Sequence, residues 1–434
     1  MPPWGPPPRE VPFVGGFVGG GRTGAAAAPS PSKGNTGEPG AFPLGDGGGG
    51  RSVPVVAPCL PLVRRAGLRA AARNFLASPL SFHAALALVA AGARGETQRE
   101  LLGFLGSSDS ESLHELHSAP ATSLLGVLRG LPQTSFACGV WVDRGRALVP
   151  EFTDTAVSRY AAVAEAADFV SEPEAARRRV NAFVGEATRG LIADVLPPRS
   201  VDSSTVLVLA NALYFKGAWA RPFDPRMTYA APFHVPGGGT VRAPFMTTIQ
   251  FKEQLVAVFP GFKALKLPYS DGGAPEAALF YMLLLLPDGE ALEIGDLYDR
   301  AVSTPGFIGE HTPVEEVPVG RFMVPKFKFT FEFEASKDMR DLGVTRAFRG
   351  GDFSGMVAGG DGLFISGVYH KATIEVDELG TVAAAATAVV VQLCARARPP
   401  PVDFVADRPF LFAIVEERSG VVLFLGHVVD PLAE

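Results

Sequence analysis

The chain has 434 residues, 47% of them apolar and 19% charged, with a formal net charge of −6. That size supports one large mixed domain or two smaller ones, and the absence of a Lys/Arg block interleaved with aromatics argues against a nucleic-acid partner. The three cysteines, Cys59, Cys138 and Cys394, are scattered without a CxxC pair, so neither a zinc site nor a disulfide framework is expected.

Residues 1–57 are dominated by Gly, Pro, Ala and Ser and carry almost no periodic apolar pattern. Such a segment cannot bury enough surface to offset its ordering entropy, so it reads as a disordered extension ahead of a folded domain at 58–434. Gly19, Gly21 and Gly24 have the spacing of a dinucleotide-binding loop, but no strand precedes them and no helix follows. The N-terminus lacks a charged segment leading into an apolar core and a small-residue cleavage site, so no secretory signal is read there. No Asn-x-Ser/Thr site occurs either. Apolar runs such as LFYMLLLLP from Leu279 fall short of the roughly 18 residues of a membrane span and read as buried strands. The expectation is a soluble cytoplasmic or nucleocytoplasmic protein with no membrane partner, for which action outside the cell is also compatible.

Patterned sequence starts near Leu60. Pro58 and Pro61 interrupt the first helix and leave LVRRAGLRAAAR, about three turns. Ser78-Pro79 has the form of an N-cap followed by proline in the first turn, opening an apolar helix to about Ala91. Thr97 with Glu100, and Ser171 with Glu174, have capping-box spacing ahead of two further helices. In the second, Val180, Phe183, Val184 and Ala187 line one face. Strands then dominate. VLVLANALYF from Val206 is nearly continuous apolar and belongs at the centre of a sheet. KFKFTFEFE from Lys326 alternates, with Phe327, Phe329, Phe331 and Phe333 on one side. FLFAIVE and VVLFLGHVV flank Glu417-Arg418-Ser419-Gly420, the signature of a hairpin. Helices first and long strands afterwards indicate an α+β protein with more than one sheet.

Catalytic constellations are missing from this text. His114 and His117 flank Glu115, but His-Glu-Leu-His is not the two-histidine spacing of a zinc protease, and no third ligand is evident. Neither a GxSxG elbow nor a GxxxxGK loop occurs. His370, in the strand-like run VYHKATIEV, reads as a buried, hydrogen-bonded histidine. An enzyme is not expected, nor a metal or cofactor.

Several long motifs, in order, resemble the serpins. They are RNFLASPLSFHAALALVAAGARGETQREL from Arg73, VNAFVGEATRGLIADVLPP from Val180 and LVLANALYFKGAWARPFDP from Leu207. LKLPYS at Leu265, VPKFKF at Val324, DLGVTRAF at Asp341 and DFSGM at Asp352 follow the same family pattern. The ending FVADRPFLFAIVEERSGVVLFLGHVVDP is similar to that of grass-type plant serpins. The resemblance implies a fold of three β-sheets with eight or nine helices and an exposed reactive-centre loop. It implies a monomeric, irreversible inhibitor of serine, or papain-like cysteine, endopeptidases. The protease cuts the loop, the loop inserts into the large sheet, and the covalent complex is trapped. The alternative is a serpin-fold storage, carrier or interaction protein.

The resemblance also assigns residues. Glu378-Leu379-Gly380-Thr381 becomes the loop hinge, continuing through Ala383, Ala384, Ala385 and Ala386, and Thr381 to Val391 becomes the inserting segment. The family's spacing puts the reactive bond at Cys394-Ala395 behind Leu393; a slip of two residues would make it Arg396-Ala397. Ser78, Ser81, Asn211 and His370 match the polar cluster beneath the large sheet, and Trp219 matches the tryptophan where insertion begins. The loop's own chemistry agrees with insertion. Alternate residues of a strand share a face, and Thr381, Ala383, Ala385, Thr387, Val389 and Val391 are small or β-branched and uncharged. A sheet can close over them without burying an unpaired ion. The same pattern would also suit a strand already in place.

Overall fold

The structure, a computed structural model, describes residues 56–115, 134–249, 252–270, 279–379 and 400–434. The expected extension, apart from its last two residues, lies outside the described residues. So do His117, the hinge positions Gly380, Thr381 and Ala383 to Ala386, and the bait positions Leu393, Cys394, Ala395, Arg396 and Ala397.

Among the described residues there are nine α-helical segments: α1 (Leu60–Arg69), α2 (Pro79–Gly92), α3 (Gly95–Phe104), α4 (Ser110–Leu113), α5 (Pro150–Tyr160), α6 (Pro173–Ala187), α7 (Ile294–Ser303), α8 (Phe307–Glu310) and α9 (Ser336–Asp341). The strands are β1 (Phe75–Ala77), β2 (Thr134–Asp143), β3 (Val163–Ala167), β4 (Leu207–Phe215), β5 (Tyr229–Val235), β6 (Gly239–Met246), β7 (Glu253–Phe259), β8 (Phe262–Pro268) and β9 (Phe280–Pro287). They continue with β10 (Glu316–Pro325), β11 (Phe327–Glu334), β12 (Gly351–Asp352), β13 (Asp361–Leu363), β14 (Gly367–Val376), β15 (Val402–Val405), β16 (Phe410–Glu416) and β17 (Val422–Val428).

One sheet has the order β11-β14-β4-β2-β3. A second runs β1-β17-β16-β9-β8-β7, and a third joins β5, β6, β10 and β15. β10 links the last two by changing partner along its length. Glu316, Val317 and Pro318 pair with β7, Val319, Phe322 and Met323 with β15, and Val324 and Pro325 with β6. β12 and β13 form a separate small pair.

Burial explains the element types. α2 is apolar all round and almost wholly buried, which places it inside the molecule rather than on its surface. Its N-terminus follows the expected cap: Ser78 Oγ accepts from Ser81 N at 3.1 Å, with Pro79 in the first turn. β4 is buried at every position, as its continuous apolar run requires. β11 alternates buried Phe327, Phe329 and Phe331 with exposed Lys328, Thr330 and Glu332. β16 and β17 pair as the expected hairpin, whose turn places Gly420 at φ 68°.

Three local expectations are corrected. Thr97 and Glu100 do not cap α3, which begins at Gly95. Thr97 Oγ1 accepts from Asp352 N at 2.9 Å, and Glu100 Oε1 accepts from Thr345 N at 2.6 Å, so both tie the helix to a distant segment. Ser171 and Glu174 form no capping box either. The N-cap of α6 is Glu172, Ser171 N donates to Asp168, and Glu174 pairs with Arg177 at 2.7 Å. Pro58 and Pro61 do not interrupt the first helix. They occupy first-turn positions of a 3₁₀ turn (Ala57–Cys59) and of α1, where a missing N–H costs nothing. α1 is short, ending at Arg69, but it is tied down. Arg64 pairs with Asp299 at 2.5 Å, Arg69 pairs with buried Asp338, and Tyr298 Oη donates to Val63 O at 2.7 Å.

Candidate functional site

The centre of the five-stranded sheet is a parallel contact between β4 and β14. Their register runs unbroken from Val208 opposite Gly367 to Phe215 opposite Ile374. No strand from the described residues, and no room for one, lies between them. Both neighbours outside this pair are antiparallel, β2 to β4 and β11 to β14. A strand added between β4 and β14 and running antiparallel to both would make β11, β14, β4 and β2 alternate in direction, leaving β2 and β3 as the parallel pair. β14 delivers the chain to Leu379 at one end of this seam, and the described chain resumes at Pro400, entering β15 of a different sheet.

Beneath the seam, the four polar residues expected to meet do meet. Asn211 and His370 are cross-strand partners in the register. Asn211 Oδ1 accepts from His370 Nδ1 at 2.5 Å and from Ser81 Oγ at 3.0 Å, while Ser78 N donates to His370 Nε2 at 3.4 Å. Those roles need a neutral imidazole with its proton on Nδ1. Burial supplies it, pushing the His370 pKa down to about 3. Asn211 Nδ2, equally buried, has no acceptor among the described residues. The cluster is thus a buried polar knot across the two strands with one donor left over, a costly arrangement in a low-dielectric interior.

Trp219 lies at the end of the seam, beside the last described residues after β14. Its ring lies flat on Tyr269, with centroids 4.6 Å apart and planes 10° from parallel. The indole Nε1 donates to Asp377 O at 2.7 Å, the Trp219 peptide N to Leu379 O at 3.4 Å, and Phe223 N to Glu378 O at 2.9 Å. Glu378 itself is clamped, accepting from Thr228 Oγ1 and from Lys326 Nζ at 2.7 Å each. Burial alone would raise its pKa, but Lys326 and Thr228 outweigh that and hold it below the ordinary carboxylate value. The segment Asp377 to Leu379, just before the residues expected to form the hinge, is held by Trp219, Phe223, Thr228 and Lys326.

Sequence reasoning missed several of these partners. Lys326, Thr228 and Phe223 reach Glu378 from segments far away in the chain. A second cluster was missed altogether: Lys216 Nζ lies 2.5 Å from Glu375 and 2.8 Å from Asp377, and Lys328 Nζ is 2.9 Å from Glu375. Tyr214 Oη donates to Glu375 at 3.2 Å. The available signal was local: three acids within Glu375-Val376-Asp377-Glu378, closing an apolar strand, are too many to leave unpaired. Among the described residues no group of three or more His, Cys, Asp or Glu is placed to hold a metal ion. No helix among them is long and apolar enough to cross a membrane.

The family model described as "Serpin (serine protease inhibitor)" matches residues 58–431. The chain belongs to the serpin family. It is similar to serpin-Z12 of rice (Oryza sativa subsp. japonica), with 70% identity over 390 residues, covering 87% of this chain and 91% of that protein. Serpin-ZX of Arabidopsis thaliana is 42% identical over 366 residues, covering 83% and 92%. Among solved structures, Arabidopsis AtSerpin1 in its "native stressed conformation" superposes with a TM-score of 0.76 at 38% identity, covering 87% of this chain and 99% of that one. Serpin48 of the insect Tenebrio molitor gives a TM-score of 0.68 at 29% identity, covering 87% and 97%. The plant relatives and the serpin fold agree with the resemblance carried by the sequence motifs, and the family is one of protease inhibitors.

Proposed function

We propose that this serpin is a suicide-type inhibitor that traps serine, or papain-like cysteine, endopeptidases covalently by inserting its cleaved loop between β4 and β14. The observation that carries the reading is the direct parallel contact of those two strands, next to a chain segment that leaves β14 at Leu379. The closed sheet accepts one more strand, and the segment after Gly380 has the composition to be that strand. Each ladder hydrogen bond contributes about 0.5–1.5 kcal/mol net, so a dozen of them yield on the order of ten kcal/mol. That is comparable with the stability of a whole domain and sufficient for an irreversible trap.

In this reading Gly380, Thr381 and Ala383 to Ala386 form the hinge, with Glu378 as its anchored base. Cys394-Ala395 is the reactive bond with Leu393 before it, and Arg396-Ala397 is the alternative. The inhibitor acts as a monomer, its domain is 58–434 with 1–57 as an extension outside it, and its place is the cytoplasm or nucleocytoplasm. It works without cofactor or metal.

Incubation with a panel of serine and cysteine proteases tests this. The expected result is a complex that survives SDS, together with a released C-terminal peptide whose mass identifies the cut after Cys394. Cleavage with turnover and no complex would favour a storage, carrier or interaction role instead. A peptide beginning at Ala397 would move the reactive bond to Arg396.

A further inference from the structure

The segment that fastens the hinge has a second face. Trp219 and Phe223, together with Leu255 and Leu267, wall a cavity of about 220 Å³ whose lining does not include Glu378. A dry cavity of about 150 Å³ is enough to hold benzene, so this one has room for an aromatic ring carrying a short substituent. These four residues and Pro268 give it an apolar side for an aromatic guest, while Thr248 and Lys266, whose Nζ is paired with Glu417 at 2.7 Å, belong to its polar side.

Arg221 and Glu316 also line the cavity, joined at 2.7 Å. Their side chains are 50% and 37% exposed, and an ion pair in such surroundings is worth only about 0–1 kcal/mol. A ligand carboxylate can therefore compete with Glu316 for the Arg221 guanidinium, which binds a carboxylate through two parallel hydrogen bonds. Gln254 adds a nearly buried amide to the lining.

We propose that this cavity binds a small aromatic carboxylic acid, ring against Trp219 and Phe223 and carboxylate on Arg221, and that the bound acid holds the hinge closed. The coupling is short. Trp219 and Phe223 both line the cavity and between them donate the three hydrogen bonds to the carbonyls of Asp377, Glu378 and Leu379. A guest that restrains the two rings restrains those donors. Binding does not depend on the inhibitory reading; its consequence for loop insertion does.

The test uses the full chain with trans-cinnamate as probe and cinnamamide as its neutral counterpart, followed by titration calorimetry. Cinnamate is expected to bind with a Kd on the order of 0.1–1 mM, as suits a fragment-sized ligand, and at least tenfold more tightly than the amide. Arg221→Met should erase that preference. Glu316→Gln, which removes the competing carboxylate, should tighten cinnamate severalfold. Hydrogen exchange at the Trp219 and Phe223 amides should slow with cinnamate in the unmodified protein and not in R221M. Equal binding of acid and amide, or binding untouched by R221M, overturns the site; binding without slower exchange overturns the coupling. Formation of SDS-stable protease complexes is scored separately: complexes without cinnamate binding refute this site alone, and cinnamate binding without complexes refutes the inhibitory reading alone.

Discussion

Lys216 and Glu375 sit opposite one another just beyond the paired stretch of β4 and β14, with Nζ and Oε1 2.5 Å apart. Burial pushes the Glu375 carboxyl up, yet hydrogen bonds from Lys216 and Lys328 outweigh it and hold it down at about 2. Of the two lysine bonds only that of Lys216 crosses the seam, as the weaker Tyr214 hydroxyl bond also does, because Lys328 lies on β11, on the same side as β14. An inserted strand would roughly double the ~4.8 Å spacing between the two backbones and part this pair while sparing the other. Lys216→Met should therefore destabilise the uncut protein by about 1–3 kcal/mol and leave the loop-cleaved protein nearly unchanged. Thermal unfolding of both forms checks this, and an equal loss in both would refute a role specific to the closed sheet.

The His370 imidazole predicts a pH dependence. Its folded pKa, about 3, lies below the ordinary 6.5, so on acidification the unfolded chain takes up this proton first. The stability that neutral His370 secures is complete above about pH 6.5 and is lost progressively as pH falls toward 3. His427, also lowered by burial, acts in the same direction. The lowered carboxylates Glu375 and Glu378 lose their contribution only below about pH 4.5. Denaturant unfolding between pH 7 and 5 should show falling stability, with a shallower slope in His370→Gln. An unchanged slope in that variant would remove His370 from the account.

Loop insertion makes a prediction about faces. If Thr381, Ala383, Ala385 and Thr387 turn inward, Ala385→Arg must bury a charge, whereas Ala386→Arg keeps it at the outer surface. The first should be cleaved by a target protease without trapping it, and the second should still trap. Gel assays of complex against cleaved product read the ratio, and equal behaviour of the two variants would contradict the alternation.

Gly67 tests the short first helix. A Cβ there would overlap the Tyr298 phenol, whereas at Gly185 in α6 the nearest atom is Ile192 O at 4.0 Å. Gly67→Ala should cost about 1–3 kcal/mol through overpacking, despite alanine's better helix propensity. Gly185→Ala should be neutral or stabilising by up to ~1 kcal/mol. The two melting temperatures, moving in opposite directions, would establish that α1 is packed as described.

Much of this architecture was legible because local pattern and burial agree. β4, β11, α2 and the β16–β17 hairpin could each be read from periodicity, and the Ser78 cap from two residues. The errors have different causes. Thr97 and Glu100 have the right spacing for a cap, but Asp352 and Thr345, far away in the chain, claim them. Ser171 and Glu174 are claimed by near neighbours, Asp168 and Arg177, and Pro58 and Pro61 fall in first turns, where spacing alone does not show that a proline is harmless. The polar knot at Asn211 came from family resemblance, since nothing local tells a buried Asn in a strand from a defect. Lys216, Lys326 and Glu375 look like surface charges in one dimension, and only strand order makes them neighbours.

The partition of the chain at the seam has a practical corollary. Leu379 ends on one sheet and Pro400 begins on another, while β16 and β17 lie between β9 and β1 in the middle of the second. A cut at Cys394-Ala395 would leave a 40-residue tail, 395–434, as an integral part of the core with no peptide bond holding it there. The tail would then stay with the rest of the severed molecule under native conditions, and only denaturation would release it. The nicked protein would be a two-piece assembly, and a synthetic tail supplied to the remainder during refolding should restore it.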